Sequence, residues 1–172
     1  MKLNDFKTVS DIASAWFGLL ALLAGGGFAV FQYLEKDKAD RVKETLSYLE
    51  RYNKSPILDA RQRLLVAWRA HDAELVSSIT KPTGSADEYR QLVLHVIETE
   101  ALYLSIIPLV DFYDSLQVCS NAKVCDPATA KQFFLRDART FYTLHYPLIE
   151  AERSGRKDPR FAVALEAFAS AK

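Results

Sequence analysis

Net charge is the first thing this chain lacks: over 172 residues, 22 Lys and Arg balance 22 Asp and Glu. With no overall field to draw it to a polyanion, the protein is not expected to bind nucleic acid. Glycine and proline are scarce at six each, and no run alternates apolar and polar residues as a half-buried strand does. An all-β sandwich or barrel is therefore excluded. Two cysteines are too few for a disulfide-built scaffold. HExxH, paired CxxC, P-loop, GxSxG and GxGxxG motifs are all missing, and the three histidines are dispersed. A zinc site on Cys119 and Cys125 would need two distant ligands. The sequence thus leads us to expect no catalytic residue, no cofactor and no metal, and a protein that is not an enzyme.

Charge is missing locally as well. Of the 23 residues Ile12–Leu34, 17 are apolar and none is charged. As a helix this run rises about 34 Å, slightly more than the roughly 30 Å hydrocarbon layer of a bilayer. Trp16 and Tyr33 lie near its two ends, where amphipathic rings favour the interface, and Lys36 and Lys38 can reach headgroups. A buried core helix with no charge over such a length is rare. A cleaved secretory signal is the sharper alternative, since Lys2 and Lys7 precede the run, but the run continues through Val30, Phe31 and Leu34. The expectation is a retained single-pass transmembrane anchor, with residues 1–34 as tail and anchor and 35–172 as a helical domain.

Within the span, Ser14, Gly18, Ala21, Gly25 and Ala29 recur every three or four residues and form one face of small side chains. In lipid such a face lets a second helix approach closely, so the partners expected are membrane lipid and either another membrane protein or a second copy of the anchor. The basic flanks set orientation. Two lysines precede the span, whereas Lys36, Lys38, Arg41, Lys43, Arg51 and Lys54 follow it, which places the C-terminal domain in the cytoplasm. Cys119 and Cys125 bracket the short polar loop CSNAKVC and form a candidate disulfide, which would instead suit an oxidising compartment.

Beyond Leu34 the pattern predicts an all-α architecture. No breaker occurs before Asn53, so the anchor should continue as a stalk helix with Val42, Leu46 and Leu49 on its inner stripe. Ser55-Pro56, Asp126-Pro127 and Asp158-Pro159 each put a capping side chain before a proline, and Ser85 with Glu88 has capping-box spacing. These signals predict an antiparallel domain of about four helices, at 56–80, 86–118, 127–153 and 159–171, with Pro108 and Pro147 kinking or breaking two of them. Residues 87–114 carry six acids against Arg90 alone, and 115–172 carry nine bases against six acids. The basic cluster Arg153, Arg156, Lys157 and Arg160 reads as a solvated helix end. Phe133, Phe134, Phe141, Tyr142, Tyr146, Phe161 and Phe168 read as core.

Projected at helical spacing, three apolar stripes are interrupted by charge or imidazole: Arg61 and Asp72 on the helix at 56–80, Glu100 on that at 86–118, His145 on that at 127–153. Such groups are costly to bury singly, so Arg61, Asp72, Glu100 and His145 are expected to meet in one buried polar network, or to line a small polar pocket.

The stretch Leu109–Arg153 runs from a helix end rich in aromatic and acidic residues, through a short turn, to an Asp126-capped helix with paired Phe133 and Phe134 and a final EAER. It resembles a segment of uncharacterised bacterial single-pass, membrane-anchored helical proteins. The resemblance implies a bacterial cell-membrane protein with one N-terminal anchor and a cytoplasmic helical domain, and it supplies no catalytic residue. The function expected is that of a non-enzymatic interaction protein, an accessory or regulatory subunit of a membrane complex. The alternative is a ligand-responsive membrane effector, in stress or phage defence, with a cytosolic sensing domain.

Overall fold

The computed structural model describes residues 3–80, 86–155 and 158–171, and side chains from residue 25 onward except that of Ile79. Among the described residues there are seven helices and no strand, so the chain is all-α. Contacts divide it into two units, Met1–Asp40 and Arg41–Lys172.

The described residues of the first unit all lie in α1 (Leu3–Tyr52), which runs unbroken beyond the apolar span as expected. Among the described residues no single helix is long and apolar enough to cross a membrane. Ile12–Ala24, more than half of the expected span, have no described side chains, so Ser14, Gly18 and Ala21 of the small-residue face lie outside the described set. Gly25 and Ala29 are exposed, and open space surrounds the position of a Cβ on Gly25.

In the second unit α1 ends at Tyr52, where the Asn53 side-chain amide donates to the Leu49 carbonyl at 3.0 Å. Six helices follow: α2 (Ile57–Ala70), α3 (Asp72–Thr80), α4 (Ala86–Thr99), α5 (Tyr103–Asn121), α6 (Pro127–Gly155) and α7 (Val163–Ala169). The expected number, about four, is corrected by two breaks inside predicted helices. The first falls at His71. Arg69 in the last turn of α2 faces that helix's negative end, and Asp72 and Glu74 open α3 at its positive end, so each dipole is complemented separately.

The second break bends the chain by 108° between α4 and α5. The Leu102 N–H bonds to the Ile97 carbonyl at 2.9 Å and the Ala101 N–H to that of Glu98 at 3.1 Å, with Ala101 at φ 50°. This is a Schellman ending with alanine in the left-handed position usually held by glycine, its flanking residues Ile97 and Leu102 both buried. The same pattern ends α5: Val124 bonds to Cys119 and Lys123 to Ser120, with Lys123 at φ 58°. Pro108 and Pro147 lie inside α5 and α6 and end neither.

Of the predicted starts, Asp126 caps as expected, its carboxylate accepting the Thr129 N–H at 2.8 Å. The Ser55 hydroxyl turns instead to the Asp59 carboxylate, 2.6 Å away, and α2 begins at Ile57. Ser85 lies outside the described residues. At Asp158 the cap closes a turn, accepting from the Arg160 N–H at 3.1 Å, and α7 starts only at Val163. Seven residues are too few for a helix to stand alone. α7 is held at its start by Asp114 of α5, which accepts the Leu165 N–H at 2.5 Å, and at its end by Arg139 of α6, which donates to the Ala169 carbonyl at 2.8 Å and to that of Ala171. Burial pushes the Asp114 carboxyl above its ordinary value, and the Leu165 N–H opposes that only in part. Of the basic cluster, Arg156 and Lys157 lie outside the described residues. Arg153 is turned inward rather than solvated: it donates to the Phe161 carbonyl at 2.9 Å and pairs with Glu166 at 2.8 Å.

The core is one cluster in which Phe134 packs edge-on against Tyr52 and Phe112, and Phe112 edge-on against Tyr113, with Tyr52 tilted 33° to Phe112; Ile106, Leu116 and Leu165 belong to the same cluster. α5 is its central element, packing on α2, α6 and α7. By length and composition α4 and α5 could together resemble a bent membrane span, but Val93, Val96, Ile97, Ile106 and Leu109 are buried against the rest of the unit.

Candidate functional site

A cleft of about 480 Å³ lies between α2, α5 and α6, closed at one side by Tyr52 at the end of α1. Helical spacing builds it. Leu58, Arg61, Gln62 and Leu65 recur along one face of α2, Leu109 and Tyr113 are one turn apart on α5, and Asp137, Phe141 and His145 follow at intervals of four on α6.

A hydrogen-bonded chain runs along its wall. The Tyr52 hydroxyl donates to the Asp137 carboxylate at 3.0 Å, so the Tyr113 hydroxyl, 2.9 Å from that of Tyr52, is the donor of their shared bond. Burial pushes the Tyr52 hydroxyl up to about 12, and that of Tyr113, deeper still, further up. Both phenols therefore stay protonated at any physiological pH. The Arg61 guanidinium lies over the Tyr52 ring, 3.8 Å from its centroid, with the Asp137 carboxylate 4.0 Å away and the Tyr52 carbonyl at 3.4 Å. Stacking restrains the guanidinium where it lines the cleft.

His145 forms the floor and is 2% exposed. The Trp68 indole N–H donates to its Nε2 at 3.3 Å, which makes Nε2 the acceptor, so Nδ1 carries the hydrogen and donates to the Phe141 carbonyl at 2.8 Å. With both ring nitrogens satisfied and no anion beside it, burial pulls the imidazole down to about 4. It is a neutral core group at pH 7.

Two of the four residues expected to form one network, Arg61 and His145, line this cleft. The other two are elsewhere. Asp72 is exposed in the first turn of α3. Glu100 is exposed beyond the end of α4, where its carboxylate lies 3.5 Å from His71 Nε2 and its carbonyl accepts from Arg63 at 3.2 Å. The projection treated 56–80 and 86–118 as unbroken, and the breaks at His71 and Ala101 turn Asp72 and Glu100 out of their stripes. His71, between Glu74 and Glu100, has its pKa raised, chiefly by its bond to Glu74. The polar chain Tyr113, Tyr52, Asp137 was not legible as such. Its one signal was that a core tyrosine needs a partner for its hydroxyl.

Cys119 and Cys125 are joined in a disulfide across the turn after α5, their Cα atoms 5.2 Å apart. Among the described residues no group of three or more His, Cys, Asp or Glu is placed to hold a metal ion.

No curated protein and no solved structure matches the chain. A family described as a domain of unknown function, DUF4760, matches residues 19–171. Since the match takes in nearly all of the helical unit and residues 19–34 of the apolar run, the chain belongs to the DUF4760 family.

Proposed function

We propose that this protein is a non-enzymatic, membrane-anchored interaction protein, an accessory or regulatory subunit held in a bacterial cell membrane by the helix through Ile12–Leu34. One observation carries the reading. Phe28, Val30, Phe31, Tyr33 and Leu34 project from all sides of α1 and each is more than half exposed, and apolar surface of that extent calls for a partner or for lipid. The anchor's partners are lipid and, through the small-residue face, another membrane protein or a second copy of itself. Gentle extraction of the native protein followed by identification of what stays bound tests this. Co-purification with a stable larger assembly is the expected result, and a solitary monomer contradicts it.

A second reading, a ligand-responsive membrane effector, is favoured by the cleft, which an accessory subunit does not need. It predicts growth arrest or depolarisation on overproduction. Orientation is tested separately: the basic residues after the span favour a cytoplasmic domain, whereas the bonded cysteines suit an oxidising compartment. Free Cys119 and Cys125 thiols in intact cells mean the former, and a trapped disulfide the latter.

A further inference from the structure

We propose that the cleft between α2, α5 and α6 binds a small amphiphilic anion, a carboxylate or phosphate on an apolar body, with Arg61 and Arg136 holding the anion and Leu65, Leu109 and Leu144 the body. This rests on the second reading, which requires a ligand, and assigns that ligand a chemical class.

Size comes first. About 480 Å³ lies within the range of pockets that take small organic ligands, roughly 300–1,000 Å³. Charge comes second. Arg61, Arg136 and Asp137 are the charged side chains lining the cleft, two cations against one carboxylate. The carboxylate is already engaged by the Tyr52 hydroxyl at 3.0 Å. Arg61 has five N–H donors, yet among the described residues its polar partners are the Tyr52 carbonyl at 3.4 Å and the Asp137 carboxylate at 4.0 Å. The Tyr52 ring beneath restrains the guanidinium, and because both of these contacts are long its donors suit a planar or tetrahedral oxyanion. Arg136 is exposed on the facing helix and, among the described residues, has no ion-pair partner.

The remaining polar groups cannot set the ligand's charge. Both nitrogens of His145 are taken by Trp68 and the Phe141 carbonyl, and both phenolic protons are spent along Tyr113, Tyr52 and Asp137. Selection for an anion therefore falls to the two arginines. The rest of the lining is chiefly apolar. Leu65 is 52% exposed, a leucine at the mouth of the cleft that an acyl or aromatic body would cover.

The test uses the full chain in phosphatidylcholine nanodiscs, with empty discs as blank, and calorimetric titration of octanoate, octyl phosphate, octanol and octylammonium. Saturable binding of the two anions, with octylammonium at least about tenfold weaker, is expected. Arg136→Gln, at an exposed position that folding does not need, should weaken the anions about tenfold while leaving octanol unchanged. Arg61→Gln should do the same or more, its folding checked by circular dichroism. Octyl phosphate tighter than octanoate points to a phospholipid headgroup as the natural source, and the reverse order to a free carboxylic acid. Absence of saturable anion binding, equal affinity for octylammonium, or an Arg136→Gln protein with undiminished anion affinity overturns the proposal. Such failure leaves the anchored-subunit reading standing, because that is read from co-purification.

Discussion

Two stretches of the same helix meet opposite fates. Between Phe28 and Leu34 every residue of α1 but Gln32 is apolar, and Phe28, Val30, Phe31, Tyr33 and Leu34 are 56% to 71% exposed. Between Thr45 and Tyr52 the apolar residues narrow to a stripe, and Thr45, Tyr48 and Tyr52 are buried beneath α5 and α6. A stripe is satisfied by one neighbouring layer of protein, whereas a helix apolar all round needs an apolar medium on every side. What separates the two stretches is the distribution of their hydrophobicity around the helix, and that distribution decides whether a fold or a solvent must supply the partner.

Aromatic truncation should break this symmetry most plainly. Phe134 is fully buried against Tyr52 and Phe112, and Phe134→Ala should cost about 3–5 kcal/mol of stability. Phe31→Ala, on the exposed stretch, should change it by less than about 0.5 kcal/mol. Urea unfolding monitored by near-ultraviolet circular dichroism reads both, and similar losses would erase the distinction.

His145 gives the next effect. Its folded value of about 4 lies below the roughly 6.5 of an unfolded histidine. Between those two values the unfolded chain binds the extra proton, so stability should fall as pH drops from about 6.5 to 4, by about 3 kcal/mol in all. Two groups act the other way. The raised Asp114 carboxyl favours the fold as pH falls through its own range, and His71, raised by Glu74, favours it until pH rises through its folded value. A pH series of unfolding curves should therefore show a falling acid limb that flattens in His145→Phe, and an unchanged limb would remove His145 as its cause.

The smallest effect sharpens how the helical unit turns its corner. Ala101 sits at φ 50°, where a Cβ is unfavourable and glycine is not. Ala101→Gly should raise stability by up to about 1 kcal/mol, read as a shift in the urea midpoint, and a loss would show that the alanine methyl contributes packing.

How much of this could be read from the chain follows from where the signals were local. The continuity of α1 was legible because nothing between Leu34 and Asn53 can stop a helix, and the start of α6 because Asp126 both caps and precedes a proline. The corner at Ala101 was not legible, because its left-handed residue is an alanine and the bond from Leu102 to Ile97 depends on both being buried in a shared core. That corner, with the break at His71, also decided the site. Arg61 and His145 stayed on the inner faces of α2 and α6, whereas Asp72 and Glu100 lay beyond the points where their helices were assumed to continue. The partners that replaced them, Tyr52, Tyr113 and Asp137, lie 24 to 85 residues apart and are joined only by packing.

The central claim is that the apolar stretch of α1 takes lipid as its solvent. The most direct measurement is the fraction of full-length protein that stays with sedimented bacterial membranes after alkaline carbonate extraction, compared with that of Leu22→Arg. A charge at mid-span costs about 2.5–3.5 kcal/mol of insertion, so the wild type should remain in the pellet and the variant should be released in large part. Release of the wild type into the supernatant would contradict the account.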